Sequence, residues 1–149
     1  MSEGISAGRI RRGSRTARLI ALVTGVSYLV AGTWAFLVPA SFSSSVATFP
    51  PYNQHLVHDA GAFQVGLGLA LLLGAVTRAA LQPVLLAVLV ASLLHLASHL
   101  MDRALGGRPV DPLILGLFCA LLAAGFVRER LATTPARATD LQRVEEGGR

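Results

Sequence analysis

LIALVTGVSYLVAGTWAFLV, residues 19–38, is a twenty-residue stretch without a charge that starts directly after an arginine cluster and stops at Pro39. At a rise of about 1.5 Å per residue such a helix covers a hydrocarbon core of about 30 Å. Three more runs read the same way. Residues 60–77 are uncharged and extend outward through His55, His58 and Asp59, which gives a span over 56–77. Residues 79–101 form the third, with Pro83 in the first turn, where a missing amide hydrogen costs least. The shortest is 112–127, with Asp111 as N-cap and Pro112 at the first helical position. A span over 111–127 reaches across only with help from flanking residues or local thinning of the bilayer.

The pattern predicts an all-α chain, a polytopic membrane protein folded as an antiparallel four-transmembrane-helix bundle over residues 19–128. A basic arm over 1–18 precedes it. The tail over 129–149, with its proline, arginines, glutamates and terminal glycines, is expected to be disordered.

Composition argues against the soluble alternative. Of 149 residues, 53% are hydrophobic and 14% charged, against about 25% charged in an ordinary globular domain. Four such runs in a soluble bundle would leave almost nothing to face water, because a surface helix carries a polar stripe. The first run loosely imitates a signal peptide, but it is longer than the usual apolar core of about 7–15 residues, and retention is expected. A net charge of +5 does not point to nucleic acid, since no folded basic face accompanies the arginine-rich arm. Anchoring beside anionic lipid explains that arm more economically. Cys119 is the only cysteine, so there is neither an intrachain disulfide nor a cysteine metal cage.

Arginine placement sets the orientation. With the N-terminus inside, Arg9, Arg11, Arg12, Arg15, Arg18, Arg78, Arg128 and Arg130 all fall on the cytoplasmic side, and only Arg103 and Arg108 lie in outer loops. A bacterial plasma membrane with both termini cytoplasmic is the expected setting. The first outer loop, 39–52, is rich in serine and proline and reads as a short amphipathic piece along the interface. Small residues at intervals of four, Gly66/Ala70/Gly74, Gly116/Ala120/Ala124 and Ala87/Ala91, predict close helix contacts.

That topology gathers all four histidines at one membrane face. His55 and His58 stand at the outer entrance of the second span, followed by Asp59. His95, His99 and Asp102 share one face toward the outer end of the third. Six residues separate His95 from the end of its run, which puts it about 9 Å deep. Ionisable groups at such depth usually face the bundle interior or a wet cavity. A short turn at Arg78 makes the two spans neighbours, so His58 and Asp59 are expected to approach His95 and His99.

Three uses of this cluster stay open. His55, His58, Asp59, His95, His99 and Asp102 suit a divalent metal such as Zn²⁺, Fe²⁺ or Cu²⁺. His58, His95 and His99, with Gln64 one to two turns into the second span, suit a haem, a quinone-like head group or a proton relay. The third use is a purely structural polar network, with Asn53 as the N-cap of the second span. There is no HExxH, CxxC, phosphate-binding loop or serine nucleophile elbow to decide whether the protein is catalytic.

The segment His58-Asp59-Ala60-Gly61-Ala62-Phe63, followed by Gly66-Leu67-Gly68-Leu69, together with the four-span layout over most of 19–127, resembles small bacterial membrane proteins of the DoxX-like type. Some of those are associated with redox complexes of the respiratory membrane. The resemblance therefore implies a quinone or a partner subunit, and it carries over no catalytic residue. The function expected first is a non-transporting membrane protein with an outward-facing His/Asp site, an accessory component of a redox or envelope complex. A membrane enzyme using metal, haem or quinone comes second. An oligomeric small-solute transporter comes third, because four helices leave little room for alternating access. The lipid bilayer is the expected partner, with a homo-oligomer or a membrane protein complex as the wider setting.

Overall fold

The computed structural model describes residues 13–134. In chain order its helices are α1 (Arg15–Leu37), α2 (Pro39–Ser45), α3 (Gln54–Thr77), α4 (Leu81–Met101) and α5 (Asp111–Thr133), and the described residues include no strand. All but α2 are long and apolar enough to cross a membrane, and the chain is a multi-pass membrane protein. The four long helices form an antiparallel ring in the order α1, α3, α4, α5. Residues 1–12 of the basic arm and 135–149 of the tail lie outside the described residues.

Local chemistry explains most helix ends. Ser14 caps α1, its Oγ accepting the Ala17 amide at 3.2 Å, and Asn53 caps α3 by accepting from Leu56 at 3.2 Å. Arg78 closes α3 in the left-handed region, φ 60°, and opens the tight turn to α4. At α5 the capping expectation is corrected. Val110 is the capping residue and Asp111 the first helical one, its carboxylate turned back to accept the Arg108 amide at 2.8 Å. The aspartate stabilises the turn before the helix rather than the helix's own first amides.

The fourth span also runs further than the apolar run implies, to Thr133. The charges beyond Val127 do not stop it, because the carboxylate among them is satisfied inside the bundle. Glu129 is 3% exposed, and its Oε2 accepts the Ser14 amide at 2.8 Å. A carboxylate there satisfies one orphan amide and complements the positive end of the α1 dipole. At 23 residues α5 spans without bilayer thinning.

The closest helix pair is α1 with α3, and glycines set its separation. A Cβ on Gly32 would stand 2.8 Å from the Gly61 carbonyl oxygen, and one on Gly61 the same distance from the Gly32 oxygen. One heptad away the arrangement repeats, with a Cβ on Gly68 falling 2.8 Å from the Gly25 oxygen and one on Gly25 3.1 Å from the Gly68 oxygen. The two backbones touch at both levels, which in lipid supplies the van der Waals packing that hydrophobicity cannot.

Of the small-residue stripes expected from the interval of four, Gly74 meets Leu81 of α4 near the turn, but none makes the close α1–α3 contacts. Gly66 and Gly116 have nothing within 4 Å of where a Cβ would stand, and Ala87, Ala120 and Ala124 are exposed. An interval of four drifts about 40° per step around a helix, whereas a spacing of seven returns almost to the same line. The contacting glycines are seven apart in each helix.

The apolar core fills the half of the bundle nearest Ser14. It comprises Ala17 and Ala21 of α1, Leu71 and Ala75 of α3, Leu81, Leu85 and Val88 of α4, and Leu122 of α5. Its upper limit is a buried hydroxyl pair. Ser92 donates to the Val88 carbonyl at 2.7 Å, which leaves its oxygen to accept the Tyr28 hydroxyl, also at 2.7 Å. Beyond Ser92 no residue of α4 is buried. The half of the bundle that carries α2 is therefore open between α3 and α4, the neighbouring long helices that touch least.

Candidate functional site at the α2 end

Two loops build this end, and Arg108 is one of the ties that join them. Arg108 donates through Nε to Asp111 Oδ1 at 3.0 Å, pairs with the same oxygen through its second terminal nitrogen at 3.0 Å, and donates through the first to the Ser45 carbonyl at 2.7 Å. Asp111 is only 6% exposed, so its charge depends on that guanidinium and the Arg108 amide. The Gly107 amide donates to the Thr48 carbonyl at 3.0 Å. Gly107 has φ 82°, and a Cβ there would stand 2.8 Å from Cζ of Phe49, so the Phe49 ring lies directly against that backbone.

Phe49 in turn reaches the imidazoles of α4. It meets His99 edge-on with centroids 5.2 Å apart, and His99 meets His95 edge-on at 4.8 Å. His99 is half-buried and His95 exposed. The expectation that His95 turns into the bundle interior is not met, because the inward face of α4, Leu81, Leu85, Val88 and Ser92, loses its covering helix before it reaches His95.

A half-open crevice of about 340 Å³ lies between the helices at this end. Phe42 and Phe49 wall it from the α2 side, Leu56 and Ala60 from α3, and His99 and Asp102 from α4. Ser43, Asn53 and Ser98 add polar atoms, and the rest of the lining is apolar. His99 also borders a smaller crevice of about 110 Å³ shared with Arg103, Gly107 and Arg108. The imidazole thus stands between an apolar pocket and a cationic one.

The α3 residues are arranged differently from the expected cluster. His58 packs on Phe36 of α1, with ring centroids 5.3 Å apart and an interplanar angle of 38°. His55 Nε2 stands 3.6 Å from Asp59 Oδ2 in an i,i+4 pair whose side chains are 87% and 53% exposed, a geometry of small energetic weight. Gln64 lies against α1, its Cβ 2.9 Å from where a Gly32 Cβ would stand. None of these four lines the crevice. The structure thus sets His95 against His99 and places His99 with Asp102 in the crevice wall, and it puts His55, His58, Asp59 and Gln64 outside that wall. The tight α1–α3 glycine seam accounts for this, because it turns the His58 face of α3 toward α1. Among the described residues, no group of three or more His, Cys, Asp or Glu side chains is close enough to hold a metal ion.

Sequence reasoning missed Phe49, Phe42 and the Arg108–Asp111 clamp. The clamp had a signal, an opposite-charge pair at i,i+3 just before a helix-starting proline. The two phenylalanines had none, since Phe42 sits in the short α2 and Phe49 in a loop, its ring packed directly on Gly107.

No family model, curated protein or solved structure matches the chain. The chemistry of the crevice is therefore read from its own residues. It offers an apolar volume closed on one side by an imidazole and a carboxylate, which is the composition of a site that orients a small amphipathic molecule.

Proposed function

We propose that this is a small protein of the bacterial plasma membrane, with both termini in the cytoplasm, whose α2 end faces outward and holds a small hydrogen-bonding ligand in the crevice beside His99 and Asp102. Its role is read as that of an accessory component of a redox or envelope assembly, on the resemblance of the 58–69 segment to DoxX-like proteins alone. The observation that carries the reading is the half-open crevice itself, with Phe49 fixing the His99 ring at one wall. His99 supplies one donor and one acceptor in its neutral form, and Asp102 supplies acceptors. Together they hold and orient a polar head without a metal. Arginine distribution supports the orientation.

Filling the crevice tests the reading. Ala60 is exposed and lines it, so Ala60→Trp places an indole in the cavity without disturbing the buried core. Protein purified gently from its own membranes should carry a small molecule detectable by native mass spectrometry. In the variant that molecule should fall to a tenth or less, with helix content by circular dichroism unchanged. Equal retention by both proteins would reject the crevice as the binding site.

A further inference from the structure

Resting on the reading of the crevice as a ligand site, we infer that its occupant is a phospholipid with an amine-bearing, zwitterionic head, admitted sideways from the bilayer between α3 and α4. The mouth decides the route. The crevice is bounded by Leu56, Val57 and Ala60 on one spanning helix and by Ser98, His99 and, just past its end, Asp102 on the next, the neighbouring long helices that touch least, so a route between them leads to lipid. Leu56 is 65% exposed on that flank, and Met101 beside the α4 wall is 82% exposed. Both are surfaces suited to hydrocarbon. Below this level the gap is shut by Leu81, Leu85 and Val88 packed on Leu71 and Ala75, so a chain entering between the helices stops in the upper half.

Volume and charge narrow the class. About 340 Å³ is near the lower end of small-molecule pockets, roughly 300–1,000 Å³, and accommodates a head group with part of one chain rather than a whole lipid. Asp102 is exposed in the wall of the crevice, and among the described residues its carboxylate has no ion-pair partner. Arg103 follows it and lines the smaller pocket on the far side of His99. Arg108, the other cation nearby, is committed to Asp111 and the Ser45 carbonyl. The free charges at the rim are thus one carboxylate and one guanidinium with His99 between their pockets. An ammonium directed at Asp102 and a phosphate directed at Arg103 answer both, whereas a lipid of net negative charge offers Arg103 the same phosphate and leaves Asp102 without a cation.

The test compares two lipids of identical chains. Full-length protein is loaded with an equimolar mixture of phosphatidylethanolamine and phosphatidylglycerol, washed until only stoichiometric lipid remains, and weighed by native mass spectrometry. The wild type should retain the ethanolamine lipid with about a five-fold preference, the ratio expected of one exposed ion pair. Asp102→Asn, a substitution at an exposed position, should bring the ratio to near unity, and Ala60→Trp should remove the retained lipid of both kinds. No preference in the wild type, a preference for the glycerol lipid, or an unchanged ratio in Asp102→Asn would overturn the inference. If Ala60→Trp displaces a non-lipid molecule while neither lipid responds, the crevice stands and the lipid assignment falls. If it displaces nothing, both fall.

Discussion

Gly32→Leu should all but prevent the bundle from forming, whereas Gly66→Leu should leave it intact. A side chain at position 32 has to displace the Gly61 carbonyl and the Val65 amide nitrogen, both 2.8 Å from the first added carbon. Those are backbone atoms of a straight helix, so the clash cannot be relieved by a rotamer change. Forcing extra atoms into a packed interior commonly costs about 1–3 kcal/mol, and separating two backbones along a whole seam belongs at or above the top of that range. At position 66 nothing lies within 4 Å of the added carbon, and the leucine projects into space that lipid fills. Thermal unfolding in a mild detergent, followed by circular dichroism, distinguishes the two variants. A Gly32→Leu protein that melts with the wild type would show that α1 and α3 do not meet along this line.

The second large effect belongs to the clamp at the α2 end. Asp111→Ala should loosen both loops together, at a cost of about 2 kcal/mol. It removes the acceptor for the Arg108 amide, the guanidinium's Nε bond and its ion pair in one step. The cost stays below that of breaking a fully buried pair because the Arg108 side chain is 38% exposed and can turn to water. Hydrogen exchange reads the effect locally. The Gly107 amide, bonded to the Thr48 carbonyl, should exchange at least ten-fold faster in the variant, while amides of the Leu81–Val88 segment keep their protection. Unchanged exchange at Gly107 would show that the loops hold each other without the clamp.

The spans were legible in the sequence because hydrocarbon thickness imposes a length that an uncharged run displays directly. The run 19–38 meets a helix that begins four residues earlier, its first turn carrying Arg15 and Arg18 outside the apolar slab, and ends one residue sooner, while the run 79–101 meets a helix that begins two residues later, after the turn at Arg78. The end of α5 was less legible. Glu129 reads as a solvated charge until the α1 N-terminus is placed against it.

Contacts between helices were harder to read than the helices themselves. The four glycines that join α1 to α3 are visible in the sequence, yet each helix alone offers several equally plausible small-residue lines, and only the antiparallel partner selects Gly25 and Gly32 with Gly61 and Gly68. The histidines illustrate the consequence. His95 and His99 stay together because their proximity is local to one helix, whereas the approach of His58 depended on which face of α3 met which neighbour. Helix register around its own axis is set by packing, and in lipid no polar stripe records it.

The measurement that bears most directly on the proposed arrangement is the sidedness of single cysteines. With Cys119 replaced by alanine, Ser44→Cys in α2 and Ala79→Cys in the α3–α4 turn both provide exposed thiols at opposite ends of the bundle. In right-side-out vesicles a membrane-impermeant maleimide should label Ser44→Cys fully and Ala79→Cys only after the membrane is permeabilised. Labelling of Ala79→Cys in sealed vesicles with Ser44→Cys protected would put the His99 crevice on the cytoplasmic side. Equal labelling of both without permeabilisation would mean that the four helices do not span.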